Sequence, residues 1–423
     1  MCFRSTNVAF RSLKFKDCDK HPAVVVETVS NENHGGSIVF QDSVFVGNHN
    51  PGQGAGVQLK PGAAEGVQTA LFERCRFQDN RANVGAAIHA EDWRVEIFDS
   101  EFLNNTAKSE RGGAIRVVRG ELSIQTTRFF RNTARQGGGA VSITDPGSQL
   151  EVKDCTFEEN SCQSPDIADR PALTIEFEVR HFCFVRTRKC VFSLATGTGG
   201  AISTHNIEGF SVRSTTFRDN RAVFGGAIDA TREADMGEAQ HTWNPIENCT
   251  FRENKAQLLD TVGGSGSGGA VSLRASASFL FVNLSDSDFL DNNGFRGGAL
   301  ALGTLAPQMR VRVKSQGVTF RGNQGVVGGA VCLFGGVGLT MSDASFESNA
   351  GRFGGAVASF DGAEFDVPKK SSRIIFENNT AASGGAIMCQ SCGKESEPIS
   401  HSSAATVRQV IFKSTLPLSS LKT

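Results

Sequence analysis

A chain of 423 residues with 47 glycines, 11 prolines and a formal net charge of −1 is long enough for two or three globular domains, unless it is an array that grows as one body. Basic and acidic residues are interspersed along its whole length, which speaks against a nucleic-acid groove or a patch for anionic membranes. The best apolar run, around Val331 to Met341, is short and broken by Gly335, Gly336 and Gly338, so no membrane-spanning segment is expected.

In chain order, Met1 to Thr6 lack the basic start and apolar stretch of a signal peptide. Residues Val8 to Cys18 read as a partial repeat ending in Phe15-Lys-Asp-Cys18. From Phe45 onward two tetrads alternate: Phe-x-x-Asn in 11 copies, and Gly-Gly-Ala followed by Ile, Val or Leu in nine strict copies. Well-formed pairs are Phe102, Asn105, Gly112 and Gly113; Phe217, Asn220, Gly225 and Gly226; Phe289, Asn292, Gly297 and Gly298; and Phe346, Asn349, Gly354 and Gly355. The phenylalanines recur at 45, 77, 102, 129, 157, 192, 217, 251, 289, 320, 346, 376 and 412. A period of this size marks a solenoid of roughly 13 to 14 coils, one continuous repeat domain over 1–423. With no polar cap at either end, the chain is expected to be a fragment of a larger protein.

The repeat also predicts the coil. Upstream of each phenylalanine the pattern alternates with period two, as in Val95-Glu-Ile97 and Leu150-Glu-Val152, the mark of short half-buried strands. Two positions before the phenylalanine stands a small or apolar residue (Cys75, Ser100, Thr127, Cys155, Cys190, Thr215, Cys249, Ser287, Val318, Ala344), which must share its inward face. Asparagine follows where the strand turns, and equivalent asparagines can hydrogen-bond as a ladder. Gly-Gly then permits backbone angles closed to other residues. Helical periodicity is absent, so the expected fold is an all-β, single-stranded parallel β-helix.

Four intervals are long, with loops expected at 161–171, 231–247, 257–267 and 389–406. Insertions must project from a rod and commonly carry its function. The segment from Thr231 to Trp243 is the best contact candidate, through His241 and Trp243 beside several carboxylates; the alternative is a tolerated insertion with Trp243 packed back on the rod.

Of eleven cysteines, Cys75, Cys155, Cys190 and Cys249 share one inward column and are read as reduced thiols, with a Cys155–Cys190 bridge as the alternative; Cys389 and Cys392 are read as a local disulfide or two free thiols. No second Cys-x-x-Cys pair exists for zinc, and no cofactor is expected. The outward positions Arg74, Asp99, Thr126, Asp154, Lys189, Ser214 and Asn248 vary without forming a catalytic column, so no catalytic residues are assigned. Asp219, Glu253 and Asp291 fall on successive turns and form a weak calcium candidate; a solvated mixed-charge face explains them equally well.

The paired tetrads resemble the repeats of the chlamydial polymorphic outer membrane proteins. That resemblance implies a right-handed parallel β-helix of the passenger type, exposed at the cell surface, in the outer membrane or outside the cell. It also implies an adhesin-like, non-enzymatic role with a protein or glycan partner on a cell surface or matrix. The family's carboxyl-terminal barrel is not seen in this sequence. The alternatives are a carbohydrate-active β-helix with a loop-built site, betrayed by acidic side chains gathered beside Arg or Lys in a groove, and a purely structural spacer.

Overall fold

A computed structural model describes residues 2–3, 7–27, 36–61, 67–162, 198–233, 243–256, 266–276, 278–304, 311–368, 373–390 and 410–413. Every regular element among them is a strand. One coil in chain order runs through Arg81–Ala82, Ile88–Glu91, Trp93–Phe98 and Glu101–Leu103. Equivalent strands of successive coils pair in parallel, giving four sheets of 10, 13, 12 and 13 strands. We call these the short, glycine, long and phenylalanine sheets. The parallel β-helix that the repeat predicts is therefore the observed fold.

The interior consists of ladders of like residues. Rings of successive coils stack from Phe15 through Phe45, Phe77 and onward to Phe376, with centroids 4.5 to 5.1 Å apart. Each interior ring from Phe45 onward is fully buried, an effect of about 1.5–3 kcal/mol per side chain. Beside them runs the asparagine ladder. Asn105 Nδ2 donates to Asn132 Oδ1 at 3.0 Å and to the Phe77 carbonyl at 3.0 Å, while its Oδ1 accepts from Asn80 Nδ2 and from the Asn80 backbone N–H. This pattern repeats from Asn48 to Asn379, so each interior amide is saturated inside an apolar rod.

Two further columns bracket the phenylalanine strand. The residue three before and the residue two after each stacked phenylalanine from Phe15 to Phe346 have positive φ: Asp99 (46°) and Asn104 (54°) around Phe102, Ser214 (47°) and Asp219 (49°) around Phe217. Asp and Asn tolerate this left-handed region better than other residues with a side chain. The outward positions Arg74, Asp99, Thr126, Asp154, Ser214 and Asn248 do face solvent, wholly or in part, and they sit at a corner of the coil. At the other corner Gly112 has φ of 73°, and a Cβ on Gly113 would lie 1.8 Å from the Gly139 carbonyl oxygen. The first glycine answers to backbone angle, the second to coil-to-coil approach.

One expected coil is not in the stack. Phe157 stacks directly on Phe217 at 5.1 Å, Asn160 Nδ2 donates to Asn220 Oδ1 at 3.1 Å, and Cys155 N–H donates to Thr215 Oγ1 at 3.4 Å. The ladders therefore pass over the coil predicted around Cys190 and Phe192, which lie outside the described residues. The loop boundaries also shift inward. Ser161–Cys162 is still a strand, Thr231 and Arg232 close the strand Ile228–Arg232, Trp243–Glu247 is itself a strand, Ser267 bridges Phe224 and Arg296, and Cys389 lies in the strand Ile387–Gln390.

Long connections favour two corners. Those from Val26 to Ser37, Leu59 to Gln68, Arg232 to Trp243 and Thr304 to Val311 join the glycine sheet to the long sheet; those from Cys162 to Ile202 and Ala256 to Val271 join the short sheet to the glycine sheet. The asparagine corner stays tight, because a longer path there would break the amide ladder.

Candidate binding groove on the long sheet

The long sheet turns one face to the core and the other outward, and its outer face is where the rod becomes irregular. Strands Trp93–Phe98 and Glu121–Gln125 pair over five residues, and Glu121–Gln125 pairs with Gln149–Lys153 in the same way. Strands Gly209–Arg213 and Trp243–Glu247 pair only through Val212 with Ile246 and Arg213 with Glu247. Pro245 has no N–H to offer a ladder. Side chains fill the gap. Asn244 Oδ1 accepts from the Phe210 N–H at 2.7 Å and its Nδ2 donates to the Phe281 carbonyl at 2.7 Å; the buried Arg232 donates to the carbonyls of Glu208 (2.6 Å) and Phe279 (2.8 Å).

This splayed step ends a groove of about 560 Å³ that crosses five long-sheet strands, its polar lining including Arg94, Glu96, Glu121, Glu151 and Glu208, with Trp243 at one end. Arg94 Nε donates to Glu121 Oε2 at 2.7 Å, and Glu208 accepts from Gln149 Nε2 at 3.4 Å. Glu96 and Glu151 stand in one column with Ser123 between them in register. Four carboxylates against one guanidinium leave the groove acidic. Trp243 is 37% exposed, and is braced by the Phe281 ring at 5.2 Å and by Lys314 Nζ 4.4 Å from its centroid.

The residues singled out in the sequence separate into three groups. The tetrad members Phe102, Asn105, Phe217, Asn220, Phe289, Asn292, Phe346 and Asn349 are buried, and their glycine partners form the corner. Trp243 belongs to a strand that faces the groove, so it is neither at a loop tip nor simply packed away; His241 lies outside the described residues. Asp219, Glu253 and Asp291 are not gathered around a common point. Arg221 pairs with Asp219 at 3.1 Å, and Arg252 and Arg218 reach Glu253 at 3.3 and 3.5 Å. Among the described residues no three His, Cys, Asp or Glu side chains are grouped to hold a metal ion.

The thiols behave as core side chains. Burial pushes Cys75 and Cys249 up to about 11 and Cys155 to about 12, and all three are free, whereas Cys389 is disulfide-bonded. Sequence reasoning missed the groove carboxylates because it tested the corner column three before each phenylalanine. Reading six and eight before it would have shown Glu96, Glu121 and Glu151 beside Arg94.

Residues 373–390, which contain both tetrads, match the Chlamydia polymorphic membrane protein (Chlamydia_PMP) repeat. No curated protein matches the chain. Two solved structures are similar: tailspike protein 3 of bacteriophage CBA120 (11% identity, 98% of this chain, TM-score 0.32) and the A-module of the mannuronan C-5 epimerase AlgE6 of Azotobacter vinelandii (11% identity, 88% of this chain and 91% of that one, TM-score 0.22). The chain spans 56% of the tailspike's length. Among the described residues no helix is long and apolar enough to cross a membrane.

Proposed function

We propose that this chain is a non-enzymatic, adhesin-like β-helix, displayed at a cell surface or secreted, that binds a host, matrix or cell-surface partner through the outer face of its long sheet. The observation that carries this reading is the division of labour between the two faces. The repeated phenylalanines, asparagines and glycines are consumed by the interior, while the acidic groove and Trp243 are left facing outward. The polymorphic membrane protein repeat at 373–390 supports the surface assignment. A general acid would need a desolvated carboxyl, and Glu151 and Glu208 are exposed.

Beads coated with the purified chain test the proposal. They are expected to adhere to cell layers or extracellular matrix, with adhesion reduced by Trp243→Ala. Adhesion no greater than that of beads coated with an unrelated β-helix would reduce the chain to a spacer. A second reading, a carbohydrate-active β-helix, is favoured by the same carboxylates beside Arg94. It requires glycan turnover that disappears in Glu96→Gln or Glu151→Gln.

A further inference from the structure

We infer that the groove takes a neutral oligosaccharide lying along the rod axis, with one sugar ring stacked on Trp243; this deepens the binding function proposed above and rests on it. The groove crosses five strands from Trp93–Phe98 to Trp243–Glu247, about 19 Å at the usual strand spacing. It is therefore long and runs across the rungs, with Glu96, Ser123, Glu151 and Ser211 alternating along one column, which suits a linear polymer laid along the axis.

The chemistry of the lining narrows the occupant. Backbone groups of the floor are engaged between coils from Trp93–Phe98 through Gly209–Arg213, and at the splayed step beyond them the Asn244 side chain takes the Phe210 N–H and the Phe281 carbonyl. An extended peptide finds no free strand edge there and loses the main-chain bonds on which strand addition depends. Glu96, Glu151 and Glu208 offer acceptors without donors, so the ligand must bring donors at short, regular intervals, as hydroxyls on successive sugars do. Polyuronates and sulfated glycans carry the same sign of charge as the groove and are repelled. Gly209 and Ser211 keep the floor low just before Trp243. There the indole, held by Phe281 and Lys314, offers an apolar surface to the C–H face of a ring whose edge hydroxyls reach the carboxylates.

The test is titration calorimetry of the full chain with uncharged hexasaccharides (cellohexaose, maltohexaose, chitin hexasaccharide), with an oligogalacturonate and a Lys/Arg-rich peptide as counter-probes. Acrylamide quenching gives a second readout, because Trp93 is buried and Trp243 is not. At least one neutral hexasaccharide is expected to bind at both low and high salt and to shield Trp243. Its affinity should fall about tenfold or more in Trp243→Ala, about 1.4 kcal/mol, and less in Glu151→Gln, with circular dichroism unchanged in both. Binding of the basic peptide alone, with an affinity that collapses in salt, overturns the inference, as does glycan binding indifferent to Trp243→Ala. Bead adhesion that survives enzymatic removal of cell-surface glycans also overturns it while leaving the adhesin reading intact. Hexasaccharide binding without any bead adhesion would instead overturn that reading and keep this site.

Discussion

Coils from Gln68 to Cys162 and coils from Ile202 to Thr304 use the same interior columns but meet different outer constraints. In the first block long-sheet strands follow one another in full register, from Trp93–Phe98 through Gln149–Lys153. In the second block the register thins to two pairs between Gly209–Arg213 and Trp243–Glu247, and Asn244 and Arg232 complete the hydrogen bonding from the side. The asparagine and phenylalanine ladders cross from one block to the other without a break. Coils are therefore specified by two tight corners, and the other corners are free to vary. The groove lies where the first kind of coil gives way to the second.

If the ladders hold both blocks equally, damage to them should be equal. Asn132→Ala and Asn254→Ala each remove two acceptor and two donor contacts inside the rod. Each should cost roughly 3 kcal/mol or more at about 1–3 kcal/mol per orphaned buried group, read as a matched fall in urea midpoint. A clear difference would show that one block depends on something else.

A buried ion pair should distinguish the blocks. Asp229 accepts from Arg274 at 2.8 Å with both side chains largely buried, and Arg274 lies over the Phe224 ring at 4.2 Å. Two rungs earlier the equivalent column holds Ser142, which accepts from Arg116 at 2.9 Å. Asp229→Ala should cost about 3 kcal/mol by stranding a guanidinium, and Ser142→Ala about 1 kcal/mol. Equal costs in denaturant melts would contradict this contrast.

Alkaline pH should act on both blocks alike. An unfolded thiol ionises near 9.0, whereas burial raises Cys75 and Cys249 to about 11 and Cys155 to about 12. The stabilising contribution is complete below the unfolded value, declines as pH rises above it, and is lost once the pH has passed the folded values. Stability measured from pH 8 upward should fall over that window, and Cys75→Ser, Cys155→Ser and Cys249→Ser should each flatten it slightly. The smallest effect belongs to the exposed Arg94 and Glu121 pair: Glu121→Gln should shift stability by less than about 1 kcal/mol, separating groove chemistry from rod stability.

Much of the fold was legible because stacking demands like residues at like positions, so the ladders are printed in the sequence as tetrads. Phe192 matched the period yet is followed by Ala195 where an interior coil needs asparagine. Continuing the ladder through it would have left buried amides unsatisfied, and the missing asparagine was a readable sign. The corner columns were also visible as a bias to Asp, Asn, Ser and Gly; they are exposed wholly or in part, as read, but solvent positions favour the same residues as a left-handed turn, so the turn itself did not show. The groove was harder to read. It depends on where Pro245 interrupts pairing and on which of the alternating residues share one outer face, and Trp243 acquires its meaning from strands far away in the chain.

The most direct test of the account replaces 163–197 with the two-residue connection Arg135-Gln136 that joins Ala134 to Gly137 in the preceding coil. If Phe157 stacks on Phe217, the shortened chain keeps the β-sheet circular dichroism and the urea m-value of the parent. Its midpoint should rise, reflecting a stability gain of up to roughly 2.5 kcal/mol, since each halving of a closed loop is worth about 0.6 kcal/mol. A smaller m-value and a lost or lowered transition would mean that the removed segment supplies a coil of the rod, contradicting the direct passage of the ladders from Asn160 to Asn220.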